Sequence, residues 1–194
     1  MGDIPTRVVA IIPARGGSKR LSRKNIAPIF NRPMMFWALQ ACWGSAYKIE
    51  PWVSTEDEEI VKVAAGYRAK VHHRSPDLAT DDVYKQAVIR SAARDILESE
   101  EGEPDIWVSL QPNSPEIKSH HLDEAIDTLL EAKRDEIFSV DFDLMQNAAF
   151  RVFRGDYVFQ KDLSTNCGAY ICDIKDVHTQ EDIDSIEQSR YSKL

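Results

Sequence analysis

The stretch Val8–Ile26, VVAIIPARGGSKRLSRKNI, decides how this chain is read. It opens with an unbroken apolar run, Val8–Ile12, rich in β-branched side chains. Such a run suits a strand covered on both faces, where alternation with polar residues is not needed. The run ends at once in a loop with two glycines and five cations, Arg15, Lys19, Arg20, Arg23 and Lys24. The whole chain is acidic, with a formal net charge of −8, yet from Met1 to Arg32 seven cations face one acid, Asp3. A basic loop at the end of a buried strand, in an otherwise acidic protein, is suited to an anionic ligand. On composition alone a solvated turn with incidental charge remains the other reading.

Size and composition narrow the class. A length of 194 residues suits one domain spanning 1–194, with 43% hydrophobic and 29% charged residues, ordinary for a globular protein. No apolar run approaches the roughly 18 residues of a membrane span. The N-terminus lacks a signal-peptide pattern, so cytoplasmic residence is expected, with no membrane partner. Cys42, Cys167 and Cys172 are odd in number and lack a CxxC spacing, which predicts reduced thiols. No basic stripe extends beyond the first loop, so nucleic acid is not an expected partner.

Strand-like and helix-like segments alternate along the chain. After Val8–Ile12, Pro33 is placed to open a helix over MMFWALQACWGSAY. Strands are predicted at Pro51–Ser54, Ala69–His73, Asp105–Leu110 and Ile137–Val140. Helices are predicted from Thr55, with Glu58 completing a capping box, over Asp82–Glu98, and from about Ser119. This order implies an α/β fold, a Rossmann-like, mainly parallel sheet with helices on both faces. The pattern then changes. Ala148–Phe153 and Tyr157–Gln160 alternate around Arg154-Gly155-Asp156, predicting an inserted β-hairpin over about 145–163. Gly168–Cys172 reads as a further sheet strand, and the tail as helical from about Ser185.

The first loop has the makings of a phosphate cradle. Gly16 and Gly17 permit positive φ and close approach of a ligand to the backbone. Arg15 can grip phosphate oxygens bidentately, while Lys19 and Lys24 supply point charges. In an open α/β sheet the loop would lie at the carboxyl ends of the strands, where ligands bind. It matches neither GxxxxGK[ST] nor GxGxxG followed by a helix, which disfavours an ATPase P-loop and a dinucleotide fold.

The wording IIPARGGSKRLSRKNI resembles the nucleotide-binding signature of the acylneuraminate cytidylyltransferases, whose relatives activate legionaminic and pseudaminic acids. The likeness continues in order through NRPMMFWAL, VSTEDEEIVKVA, HHRSPDLATDD, LQPNSP and EDIDSIE. It implies a nucleotidyltransferase with CTP and a nine-carbon sugar acid as its partners, forming a CMP-sugar and pyrophosphate. It implies that Ala14, Arg15, Gly16, Gly17, Ser18, Lys19, Lys24 and Asn25 hold the nucleotide. Arg74 matches a nucleotide-contacting arginine, and Gln111 a residue that approaches the sugar acid. It also implies a homodimer joined through the predicted hairpin, with Phe150 and Phe153 docking the second subunit.

Near the end stands Glu181-Asp182-Ile183-Asp184. In an extended segment Asp182 and Asp184 would project to one side and face one ion together. Mg²⁺ takes oxygen ligands, often one or two carboxylates with phosphate oxygens and water. An ordinary solvated acidic turn is the alternative reading. The family likeness matches Asp-Ile-Asp to a metal-binding motif, which implies Mg²⁺ on Asp182 and Asp184. The catalytic set implied is then Arg15, Lys19, Lys24, Gln111, Asp182 and Asp184.

His72-His73 and His120-His121 do not suit a zinc site, because adjacent residues diverge on a strand or a helix. There is no GxSxG elbow for a serine hydrolase. Trp37, Trp43 and Tyr47 read as core or interface packing. Several positions depart from the family pattern. Asn113 replaces a threonine, Glu116-Ile117 replaces Leu-Arg, and Asp82-Val83-Tyr84-Lys85 replaces small hydroxyl residues. Ser164-Thr165-Asn166-Cys167 lacks the arginine that sialic-acid enzymes carry before the GAYI strand, and Ile174–Asp182 is short. These changes fall on the sugar side of the reaction. They keep two alternatives in view, a non-catalytic nucleotide-binding homologue and a cytidylyltransferase for another keto sugar acid such as 3-deoxy-octulosonate.

Overall fold

Val8, Ala10 and Ile12 turn to one face of the first strand and Val9 and Ile11 to the other, and all five are buried. The apolar run therefore has no wet side, as its composition predicts. A computed structural model describes residues 7–100, 102–161 and 164–191. Its elements are β1 (Val8–Pro13), β2 (Pro28–Ile29), β3 (Arg32–Pro33), α1 (Met34–Trp43), β4 (Glu50–Thr55), α2 (Glu58–Gly66), β5 (Lys70–His73) and α3 (Lys85–Ser99). They continue with β6 (Ile106–Leu110), α4 (Ser119–Glu131), β7 (Glu136–Val140), β8 (Gln146–Arg154), β9 (Cys167–Ile171) and α5 (Gln180–Tyr191).

Seven strands form one sheet in the order β5-β4-β1-β6-β8-β7-β9. All neighbours are parallel except β8, which runs antiparallel to β6 and β7. Helices α1, α2 and α4 pack on one face through Leu39, Ile60 and Ile126. Helix α3 packs on the other through Ile89, Ala93 and Ile96 against Val9, Ile11 and Trp107. The expected α/β sheet with helices on both faces is present. Helix α5 builds a third, smaller cluster, in which Ile183 and Ile186 meet Ile29, Met34 and Val177.

Three expectations need correction. The predicted hairpin is one long strand followed by a short 3-10 turn, Gly155–Phe159. Its first arm is β8, in the interior of the sheet, and Phe150 and Phe153 are 1% and 0% exposed. They fill this chain's own core and are not available to dock another subunit. Residues 162 and 163 of the expected insertion lie outside the described residues. The cap of α2 is Asp57, whose side chain accepts from the Glu59 and Ile60 N–H groups, and not Thr55. Helix α5 begins at Gln180, earlier than Ser185, with consequences for the carboxylates.

Candidate active site

Because β1, β4 and β6 are parallel, their carboxyl ends open at one edge of the sheet. The basic loop leaves β1 there and is pinned along its length. The Ala14 N–H donates to the Ser54 carbonyl at 2.9 Å, and the Asn25 amide donates to the Arg15 carbonyl at 2.8 Å. The Arg23 guanidinium spans both oxygens of Asp57, at 2.6 and 3.0 Å. That bond holds the Asp57 carboxyl below the usual carboxylate range. Arg23 itself sits in the left-handed region at φ 54°.

The glycines serve differently from expectation. Neither Gly16 nor Gly17 has positive φ. Gly16 is needed for close approach, since a Cβ there would lie 2.2 Å from Asp57 Oδ2. A Cβ at Gly17 would meet nothing within 4 Å, and Gly17 borders the cleft. Ala14 is wholly buried and contributes its backbone only to the sheet edge.

The cleft beneath this loop has a volume of about 240 Å³. It brings together Arg15, Gly17, Ser18, Lys24, Asn25, Arg74 and Gln111 from the expected set. Arg74 is placed by β5, with its N–H on the Thr55 carbonyl and its guanidinium on Glu56 at 2.5 Å. Gln111 follows β6, its N–H held by the Ala149 carbonyl of β8. Arg74 Nε and Gln111 Nε2 are both buried without a hydrogen-bond partner. Buried donors left unmade cost about 1–3 kcal/mol each, so two of them lining one cleft call for a ligand acceptor. Lys24 and Lys85 line the same cleft and have no ion-pair partner among the described residues. Desolvation by the surrounding protein lowers both ammonium pKa values, and for Lys24 the neighbouring Arg20 adds to the effect.

Lys19 does not line the cleft. It is solvent-exposed and pairs with Asp81 at 2.5 Å, while Arg15 holds the other oxygen of Asp81 at 2.5 Å. Asp81 is itself a cleft residue, with a carboxyl held below its usual range by Lys19 and Arg15.

The carboxylates at the end of the chain are arranged otherwise than expected. Asp182 Oδ2 accepts from the His178 and Thr179 N–H groups at 2.8 and 2.9 Å, and the Asp182 N–H faces Thr179 Oγ1 at 3.4 Å. This is a reciprocal capping box that starts α5. Asp182 Oδ1 pairs with Lys175 at 3.0 Å. The two N–H bonds and Lys175 hold the Asp182 carboxyl well below the carboxylate range. Asp184 lies two residues on in the helix, so it points to a different side and accepts from Gln180 at 3.0 Å. The pair does not converge on one ion. Among the described residues no group of three or more His, Cys, Asp or Glu side chains is placed to hold a metal.

The extended segment is one turn earlier, at Asp176-Val177-His178. Val177 is buried and exchanges two hydrogen bonds with Asn113, at 2.8 and 3.0 Å. Asp176 accepts from the Ser114 hydroxyl at 2.5 Å and acts electrostatically on both Lys24 and Lys85. Asp176, Asp81 and Glu56 are therefore site residues that sequence reasoning missed, whereas Lys85 was singled out there only as a departure on the sugar side. Asn113 also gains a reason, since its amide reaches the Val177 carbonyl, tying the proline-stiffened turn to this short segment.

Residues 9–181 match the sequence family described as Cytidylyltransferase. An N-acylneuraminate cytidylyltransferase A from Danio rerio is 37% identical over 133 residues, covering 69% of this chain and 30% of that protein. A pseudaminic acid cytidylyltransferase from Campylobacter jejuni is 30% identical over 156 residues, covering 79% of this chain and 67% of that protein. The match thus spans under a third of the vertebrate relative's length. In fold the chain is similar to a CMP:2-keto-3-deoxy-manno-octonic acid synthetase complexed with CTP. The TM-score is 0.77 at 14% identity, covering 97% of this chain and all of that one. A cytidylyltransferase from Leptospira borgpetersenii gives 0.74 at 19% identity, covering 97% of this chain and 88% of that one.

Proposed function

The chain belongs to the cytidylyltransferase family, and on that footing we propose that it transfers CMP from CTP to the anomeric hydroxyl of a nonulosonic acid. The observation that carries this reading is the cleft at the strand ends. Its cations are partly uncompensated, and its two buried donors, Arg74 Nε and Gln111 Nε2, lack acceptors. A triphosphate and a sugar acid supply both the charge and the acceptors.

In the reaction the sugar hydroxyl oxygen attacks the α-phosphorus. The bond from that phosphorus to the bridging oxygen breaks, pyrophosphate leaves, and the hydroxyl proton passes to solvent or pyrophosphate. The protein's work is to position the reactants in line and to stabilise charge. Arg15, Ser18 and Lys24 receive phosphate oxygens, Asn25 fixes the loop by holding the Arg15 carbonyl, and Lys19 joins from the rim. Gln111 directs its free amide donor at the sugar acid.

We assign a divalent cation to Asp176, which would hold it through one carboxylate oxygen with phosphate oxygens and water as its other ligands. One oxygen of Asp176 already accepts from Ser114, and its carboxylate stands beside the cleft cations. When bound there, the cation would add Lewis-acid charge at the phosphates. A manganese complex is known for a Mycobacterium tuberculosis protein of similar fold. Mg²⁺ is our choice for this chain because the donor is a hard oxygen.

A homodimer is supported by an apolar patch, Phe142, Leu144, Met145 and Ile171, all exposed at the carboxyl ends of β7 and β9. No helix among the described residues is long and apolar enough to cross a membrane. A cytoplasmic setting is supported by three unbridged cysteines. The reading is tested by pyrophosphate release from CTP with N-acetylneuraminic, legionaminic or pseudaminic acid and Mg²⁺. Release with one of them is expected, and none with any would overturn it.

A further inference from the structure

We propose that Lys85 is the residue that receives the acceptor's carboxylate, holding it in a second cleft that shares Lys85 with the nucleotide cleft. This rests on the sugar-acid reading above and goes beyond it by naming the group that selects an acid.

A cleft of about 280 Å³ lies between the start of α3 and strands β6 and β8. Tyr84, Lys85, Gln86, Ser109, Gln146 and Arg151 are among its lining residues. Hydroxyls, carboxamides and cations are the groups that recognise a polyhydroxy acid. Lys85 is the residue common to both clefts, so a ligand held by it in the second is next to whatever occupies the first.

The second cation there is already engaged. Arg151 gives Nε to Glu136 and an Nη to Gln86 at 3.0 Å, and its guanidinium lies 4.8 Å from the centre of the Phe153 ring. Lys85 has no such commitments among the described residues. Its charged neighbours are Arg151 and Lys24, which repel it, and Asp176, which attracts it. Asp176 is bonded to Ser114 and suits the cation at the phosphates, leaving Lys85 free for an incoming anion. The position also answers a gap in the sequence. No cation precedes β9 in Ser164-Thr165-Asn166-Cys167, while Lys85 stands where small hydroxyl residues would be expected.

The test compares Lys85→Gln and Lys85→Arg with the unaltered chain, with CTP and the sugar acid varied separately. A desolvated charge-assisted contact is worth about 1.5–3 kcal/mol, so Lys85→Gln should raise the acid's KM by roughly tenfold or more. Because Lys85 also borders the nucleotide cleft, the KM for CTP and the CTP-induced thermal shift should change too, but far less than the acid's KM, and Lys85→Arg should recover part of the loss. The methyl ester of the same acid supplies the readout that a structural role would not move. The unaltered chain should strongly prefer the acid to the ester, and Lys85→Gln should not. A variant that loses CTP affinity while keeping its preference for the acid would overturn the proposal. If the unaltered chain turns over no acid at all, the sugar-acid reading fails, and the assignment of Lys85 falls with it.

Discussion

Asp81 occupies two of the cations, Arg15 and Lys19, that the proposed triphosphate would meet. Its pairs with Arg15 and Lys19 are exposed, and such pairs contribute about 0–1 kcal/mol. Phosphate oxygens make charge-assisted bonds of about 1.5–3 kcal/mol each, so the ligand wins the exchange but must first displace Asp81. Asp81→Asn should therefore tighten CTP binding severalfold with little change in thermal stability, as measured by calorimetric titration. Weaker binding would mean that Asp81 orders the loop. The glycines separate packing from ligand approach in the same loop. Gly16→Ala drives a methyl into Asp57 and should destabilise the fold, whereas Gly17→Ala meets nothing and should melt like the unaltered chain. If the backbone at Gly17 approaches phosphate, Gly17→Ala will still weaken CTP binding. The cationic character of this loop was legible in its residue types. The reason for Gly16 was not, because it depends on Asp57, 41 positions away in the chain.

At the scale of elements, two short segments decide the fate of the terminal carboxylates. Thr179 and Asp182 satisfy each other's backbone groups and start α5, which moves Asp-Ile-Asp from an extended strip into a helix. An alternating pair of acids reads alike in both, and only the cap distinguishes them. Asp182→Ala should cost about 1 kcal/mol of stability, the usual worth of a cap, and change turnover little. Asp176→Asn should do the reverse, losing most turnover while the melting temperature stays near that of the unaltered chain. Equal losses in both properties for both variants would contradict this division. The cap of α2 carries a pH signature as well. Arg23 and the helix N–H groups depress the Asp57 carboxyl, so its stabilisation is complete above the ordinary carboxylate pKa of about 3.9. It is lost as pH falls through the lower folded value. Melting curves of Asp57→Asn should lie below those of the unaltered chain near neutrality and converge with them as pH drops under about 4. A constant gap would show that the charge is not what matters.

Across the whole molecule, the mainly parallel α/β architecture was readable because parallel units alternate buried runs with amphipathic helices. The misread segment was β8, whose alternation is that of any antiparallel strand, whether in a hairpin or inside a sheet. Its burial displaces the expected contact surface. Phe150 and Phe153 belong to the core, and the exposed apolar side chains stand at the preceding turn. There Leu144 holds φ 62°, with its N–H on the Asp141 carbonyl and the next N–H on the Asp141 side chain. A leucine in the left-handed region costs about 1 kcal/mol, which glycine would avoid. A residue both strained and 66% exposed earns nothing from folding this chain alone. In the proposed homodimer, contact with a second copy would supply the missing compensation. Because β7 runs parallel to β9 and lies two strands from β6, that contact would border the edge where the cleft opens. Leu144→Gly should then raise the stability of the isolated subunit and weaken self-association at once. Sedimentation across a range of concentrations measures the second, and melting at low concentration the first. Association unchanged by both Leu144→Gly and Met145→Asp would place any dimer contact elsewhere on the molecule.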